Sequence, residues 1–108
     1  MKTYKLYLAE FPYTESSANK IRPVILLTAP VGKYKLVMAA YVTSQINATK
    51  LESDLIIERS GRDLLAKSMI RLHKLTNMPL SIVKRELGNL TPEESNQVRL
   101  KLRKLFEL

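Results

Sequence analysis

Hydrophobic and polar positions follow two rhythms in this chain. Through Leu75 the apolar residues come in short runs bounded by turn-forming residues, the pattern of strands. Tyr4 to Glu10 is the first such run. Pro12 and the polar stretch from Thr14 to Lys20 then read as a loop. Pro23 to Thr28 is apolar and rich in branched residues, so it predicts a buried strand. Pro30 and Gly32 turn the chain, and Leu36 to Thr43 predicts a partner strand buried on both faces. Leu55 to Ile57 is a short strand, Ser60 to Asp63 a turn, and Ser68 to Leu75 a further strand.

The rhythm then lengthens. Leu80 to Leu87 predicts a short helix closed by Gly88. Thr91-Pro92-Glu93-Glu94 is a helix start: Thr91 can cap, Pro92 suits the first helical position, and Glu94 completes a capping box. Val98, Leu102, Leu105 and Phe106 share one face of the helix that follows. Arg99, Lys101, Arg103 and Lys104 cover much of the remainder. The elements together predict a mainly β domain, a small curled sheet or barrel crossed by a C-terminal helix with a short helix before it.

Composition narrows the chemistry. The 108 residues suit a single domain over 1–108 with one core. Cysteine is absent, which excludes disulfides, thiolate metal sites and cysteine nucleophiles. One histidine excludes a His-rich metal site within the chain. Three glycines and no GxxxxGK[ST] or GxGxxG motif exclude a glycine-rich nucleotide loop. No metal and no cofactor are expected. The formal net charge of +8 favours a polyanionic partner: RNA, DNA or an acidic protein. No run is long enough to span a membrane, and Glu10 interrupts the only N-terminal apolar stretch, so a cytoplasmic protein is expected. Glu52 and Asp54 form an E-x-D pair. Without a clustered acid or histidine nearby in sequence they read as a solvated strand edge rather than a metal site.

Five segments together are more specific. They are Phe11-Pro12-Tyr13-Thr14, Lys20-Ile21-Arg22-Pro23 with its aliphatic strand, the strand ending Val42-Thr43-Ser44-Gln45, Ser68-Met69-Ile70-Arg71-Leu72-His73-Lys74-Leu75, and Leu87-Gly88-Asn89-Leu90-Thr91. In this order and spacing they resemble the PemK/MazF-like toxins of type II toxin–antitoxin systems, over essentially the whole chain. The resemblance implies an SH3-like β-barrel with a C-terminal helix, usually a homodimer. It implies a metal-independent endoribonuclease acting on single-stranded RNA, and a cognate antitoxin with an acidic disordered tail. Two alternatives stay open: a gyrase-poisoning toxin of the same fold, and a non-catalytic RNA-binding member.

Cleavage of this kind uses the ribose 2′-hydroxyl as nucleophile. It leaves a 2′,3′-cyclic phosphate and a 5′-hydroxyl, and needs a base, an acid or cation, and donors around the phosphate. Arg22, between a polar loop and a buried strand, can aim a guanidinium at a phosphate. Thr43 and Ser44 end a strand and can donate hydroxyls. Arg71 and His73 lie two apart on a predicted strand. Period-two geometry puts both on one face, with Cα atoms roughly 7 Å apart; His73 can then act as base or acid. The PemK branch carries an aspartate where this chain has His73. Several family members have a histidine or glutamate where this chain has Ser16 and Ser17, with Glu15 the only acid nearby. The identity of the base therefore stays open. Lys20, Gln45, Lys67, Ser68 and Tyr13 are further RNA-contact candidates, Tyr13 by stacking on a base.

Overall fold

The structure is a computed structural model that describes residues 3–11, 20–47 and 49–108. Six strands follow in chain order: β1 (Lys5–Phe11), β2 (Lys20–Leu26), β3 (Leu36–Thr43), β4 (Asp54–Ile57), β5 (Ser68–Pro79) and β6 (Val83–Asn89). A three-residue 3-10 turn, Leu80–Ile82, joins β5 to β6, and the helix α1 (Pro92–Leu105) comes last. The strands form one antiparallel sheet in the order β4-β5-β3-β2-β1-β6.

Alternation along the central strands divides their side chains between two cores. Leu6, Ile25, Ala40, Val42, Ile70 and Leu72 face the helix, together with Val98 of α1. Tyr7, Ala9, Val24, Leu26, Val37, Ala39 and Met78 form the second cluster on the opposite face. Short runs of consecutive apolar residues are what a sheet covered on both faces requires. The helix meets the first core through Val98, Leu102 and Leu105. Phe106, expected on that face, falls at the helix C-cap and is 55% exposed.

The helix start is as the sequence predicts. Thr91 accepts from the Glu94 N–H, and the Glu94 carboxylate accepts from the Thr91 N–H. The region before it is corrected. Leu80–Leu87 is not a helix: only Leu80–Ile82 turn, and Val83–Asn89 extend as β6. Val83 and Leu87 have helical spacing, but they serve opposite cores. Two register irregularities against β1 accommodate them. Gly88 ends no helix. It pairs with Leu6 at φ +146°, and a Cβ there would meet Arg62 Cγ at 3.1 Å.

Arg62 closes the sheet. Its side chain, 5% exposed, donates from Nε to the Asn89 carbonyl (2.9 Å) and from Nη1 to the Glu58 carbonyl (2.6 Å). Nη2 pairs with the Glu94 carboxylate. Burial pushes the Arg62 pKa down from its ordinary value. The Asp63 N–H adds a bond to the Leu87 carbonyl at 2.7 Å. The segment after edge strand β4 is thereby fastened to edge strand β6. This joins the two open edges in a barrel-like arrangement and limits edge exposure.

Candidate functional site

The β2–β3 ladder ends at Val24–Tyr41. The next residue of β2 is Pro23, which has no N–H to donate. A cavity of about 440 Å³ opens where the pairing stops, lined by Arg22, Tyr41, Val42, Thr43, Gln45, Arg71 and Lys74. Three of these carry positive charge. Among the described lining residues none is a carboxylate or a histidine.

Each arginine is held by a different device. The Arg22 guanidinium carbon lies 5.9 Å from the centre of the Tyr41 ring, a cation–π contact. Tyr41 is braced in turn by Phe11, ring centres 5.6 Å apart. Arg71 is cross-strand to Tyr41. It donates from Nε to Asp54 Oδ1 (3.3 Å) and from Nη2 to Asp54 Oδ2 (3.2 Å). Nη2 also reaches the Thr49 carbonyl at 3.3 Å. Thr43 Oγ1 accepts from the Gln45 N–H at 3.1 Å, leaving its own hydroxyl proton for another acceptor.

A second hollow of about 630 Å³ shares Arg22, Val42, Thr43 and Gln45 with the first. It adds Lys20 and Ser44 on a polar side, and Ile21, Leu64 and Leu65 on an apolar one. Arg85 is also there, ion-paired with Asp63. The two hollows form one concave surface around the ends of β2 and β3.

Arg22, Thr43, Arg71 and Gln45 of the sequence-predicted set meet in the first cavity, and Lys20, Ser44 and Ser68 line the second. The Ser68 hydroxyl is nonetheless buried and donates to the Ala66 carbonyl (2.9 Å), which closes the turn before β5. Lys67 is exposed, pairs with Glu58 at 3.3 Å and lines neither hollow. Tyr13 lies outside the described residues, as do Glu15, Ser16 and Ser17.

The shared face expected for Arg71 and His73 is corrected. Ala40 pairs with Leu75 but Tyr41 with Arg71, so three residues of β5, Leu72 to Lys74, have no counterpart on β3. This bulge breaks the period of two. His73 leaves the arginine cavity for a smaller one of about 200 Å³, lined by Glu52, Ser53, Lys101, Lys104 and Leu105. There its Nδ1 lies 2.6 Å from the Ser53 hydroxyl. Lys74 takes the place expected of His73.

Sequence reasoning therefore missed Lys74, Tyr41 and Asp54. The adjacent polar residues His73 and Lys74, which break the alternation of β5, are the one signal of the bulge. The E-x-D reading is also corrected. Glu52 is exposed and pairs with Lys104, whereas Asp54 is fully buried against Arg71.

The barrel-like sheet and its cation-lined cavity define a small β protein suited to a polyanionic ligand. Residues 2–106 match the family model of the PemK-like, MazF-like toxin of type II toxin–antitoxin systems, and the chain belongs to that family. Over 101 residues it is 30% identical to the endoribonuclease MazF of Staphylococcus saprophyticus, covering 91% of this chain and 84% of that protein. Among solved structures, the Mycobacterium tuberculosis toxin MazF-mt6 superposes with a TM-score of 0.76 at 19% identity, covering 96% of this chain and 97% of that one. An endoribonuclease from a mycobacterial species, solved in complex with its cognate antitoxin, gives 0.74 at 14% identity, covering 100% and 96%. At these identities the two structures speak for the fold.

Proposed function

We propose that this toxin is an endoribonuclease that cleaves single-stranded RNA without a metal ion. The observation that carries this is the meeting of Arg22, Arg71 and Lys74 with the Thr43 hydroxyl where the β2–β3 pairing ends. The name of the staphylococcal relative, an endoribonuclease, supports the activity class.

In this reading a phosphodiester enters the cavity and the guanidiniums of Arg22 and Arg71 take its non-bridging oxygens. A guanidinium offers a planar fork of donors that matches a phosphate's oxygens. Thr43 donates its free hydroxyl proton to the same group. As the ribose 2′-oxygen attacks phosphorus, the added negative charge falls among three cations already in place. That is how a preorganised site lowers such a barrier. The bond from phosphorus to the 5′-oxygen breaks as the bond to the 2′-oxygen forms, and the 5′-oxygen takes a proton from water, so the products carry a 2′,3′-cyclic phosphate and a 5′-hydroxyl. Lys20, Ser44 and Gln45 hold the flanking nucleotides along the second hollow. A cognate antitoxin with an acidic tail covers the same cationic surface. The protein works in the cytoplasm as a single-domain toxin over residues 1–108, and pairs as a homodimer.

Transesterification also needs an acceptor for the 2′-hydroxyl proton. The described lining residues of the cavity contain no histidine or carboxylate, and this favours a second reading, a protein that holds RNA without cutting it. Incubation with a long single-stranded RNA in excess EDTA, followed by end mapping, separates the two. Discrete cuts with cyclic phosphate ends, lost in Arg22→Ala, establish the ribonuclease. RNA that is bound and intact establishes the second reading. No binding at all sends the search to protein targets such as gyrase.

A further inference from the structure

Asp54 is the only carboxylate that is completely buried among the described residues. Nothing in the proposed chemistry uses it directly, and it does not line the arginine cavity. Its four contacts are specific. Oδ1 accepts from Arg71 Nε (3.3 Å). Oδ2 accepts from Arg71 Nη2 (3.2 Å) and from the Leu51 N–H (2.7 Å). Its own N–H donates to the Leu51 carbonyl at 3.0 Å. The carboxylate thus bridges the tight turn before β4 and the guanidinium on β5.

A guanidinium has five N–H donors. Asp54 takes one on Nε and one on Nη2, and the Thr49 carbonyl takes the other on Nη2. Among the described residues no hydrogen bond takes the two protons on Nη1, and the side chain lines the cavity. A fork gripped along one edge can turn only by breaking both bonds to the carboxylate. Lysine, a point charge on a flexible stem, cannot be gripped in that way.

We propose that Asp54 is a positioning residue. It holds Arg71 by two bonds so that Nη1 faces the substrate phosphate, and it ties the 49–54 segment to the site through the same carboxylate. This rests on the reading of the cavity as the RNA site.

The sign of one variant makes the proposal testable. Asp54→Asn preserves shape but removes a negative charge close to the cavity. If charge alone matters, RNA binds more tightly and is cut at least as fast. If Asp54 positions Arg71, cleavage falls despite the added positive charge. A small misplacement of a catalytic group costs about a hundredfold.

The experiment compares wild type, Asp54→Asn, Arg71→Ala, the double variant and Arg71→Lys. Cleavage of a single-stranded RNA gives kcat and KM. Affinity is measured with a fully 2′-O-methylated oligonucleotide, which lacks the nucleophile. Asp54→Asn is expected to lower kcat about a hundredfold with no tightening of affinity. The double variant is expected to match Arg71→Ala, since a residue acting through Arg71 has no further effect once Arg71 is gone.

Wild-type kcat in Asp54→Asn overturns the proposal, as does a double variant in which the two losses multiply. If Asp54→Asn does not fold, Arg71→Lys decides, because it keeps a cation beside Asp54. A loss as deep as that of Arg71→Ala supports the held fork, and wild-type kcat overturns it. Should the wild type bind RNA without cutting, the ribonuclease reading fails by itself. The same comparison is then made on affinity: weaker binding by Asp54→Asn supports positioning and tighter binding overturns it. A wild type that neither cuts nor binds overturns both.

Discussion

Arg62→Met tests how the sheet is closed. Methionine keeps most of the aliphatic stem that packs beside Gly88 and removes the guanidinium. Three partners then lose their donor: the carbonyls of Asn89 and Glu58, and the carboxylate of Glu94. Breaking one side of a buried ion pair costs about 3–5 kcal/mol. Glu94 keeps its bond from the Thr91 N–H and is 20% exposed, so water can reach part of it. That places the loss at the low end, about 3 kcal/mol. For a chain of this size it corresponds to a fall in Tm of roughly 12 °C. The assay is urea unfolding followed by far-ultraviolet circular dichroism at one fixed protein concentration, so that self-association does not shift the midpoint. The urea midpoint should fall with little change in slope. A companion variant, Glu94→Gln, retains the capping acceptor and loses the charge. Combined with Arg62→Met it should cost less than the two single losses together. A loss below about 1 kcal/mol, the range of an exposed ion pair, would refute the closure by Arg62.

Four further outcomes follow from the same geometry. Gly88→Ala puts a Cβ against Arg62 at a φ of +146°, and should destabilise by about 2 kcal/mol in the same urea assay; an unchanged midpoint would show that the contact relaxes freely. Tyr41→Leu keeps apolar bulk but removes the ring face under Arg22. It should slow RNA cleavage by roughly fivefold, the worth of about 1 kcal/mol, and equal rates would detach Tyr41 from the site. His73→Ala should leave the pH–rate profile of cleavage unchanged, because His73 lines a different cavity from the arginines; loss of a neutral-pH limb would return it to the mechanism. Hydrogen bonding and charge attraction from Lys104 hold the Glu52 carboxyl below its ordinary pKa. Its stabilising effect is therefore present above the ordinary carboxylate range and lost as pH falls through the depressed value. Glu52→Gln should lower the urea midpoint slightly at neutral pH and not in strong acid, and an equal difference at both would contradict the pairing.

Most of the sheet is legible in the sequence because burial on both faces leaves continuous apolar runs. Leu36–Thr43 is predicted to the residue for that reason, and the capping box marks the start of α1. Val83 and Leu87 mislead because a spacing of four suits a helix, while the irregular pairing with β1 that makes them a strand depends on a partner far away in the chain. The same holds at the site. Arg22 and Thr43 stand out where apolar strands meet polar ends. His73 and Lys74 exchange places because a bulge in β5 is set by pairing with β3 and leaves only two adjacent polar residues as its trace. Asp54 looks like a surface acid because nothing local shows that a guanidinium on another strand will cover it.

The strand order also bears on how the chain is made. β1 is the first strand to leave the ribosome, yet one of its two neighbours is β6, the last to be synthesised. Arg62 likewise waits for two of its three partners, Asn89 and Glu94. Leu87, Leu90 and Val98 complete the helix-side core at the same late stage. Pairings this distant in sequence form slowly and late. The arginines of the cavity are thus translated well before the frame that aligns them is finished. A nascent chain therefore carries its cations in an unfinished sheet, and the cavity they line takes shape only after the chain has folded as a whole.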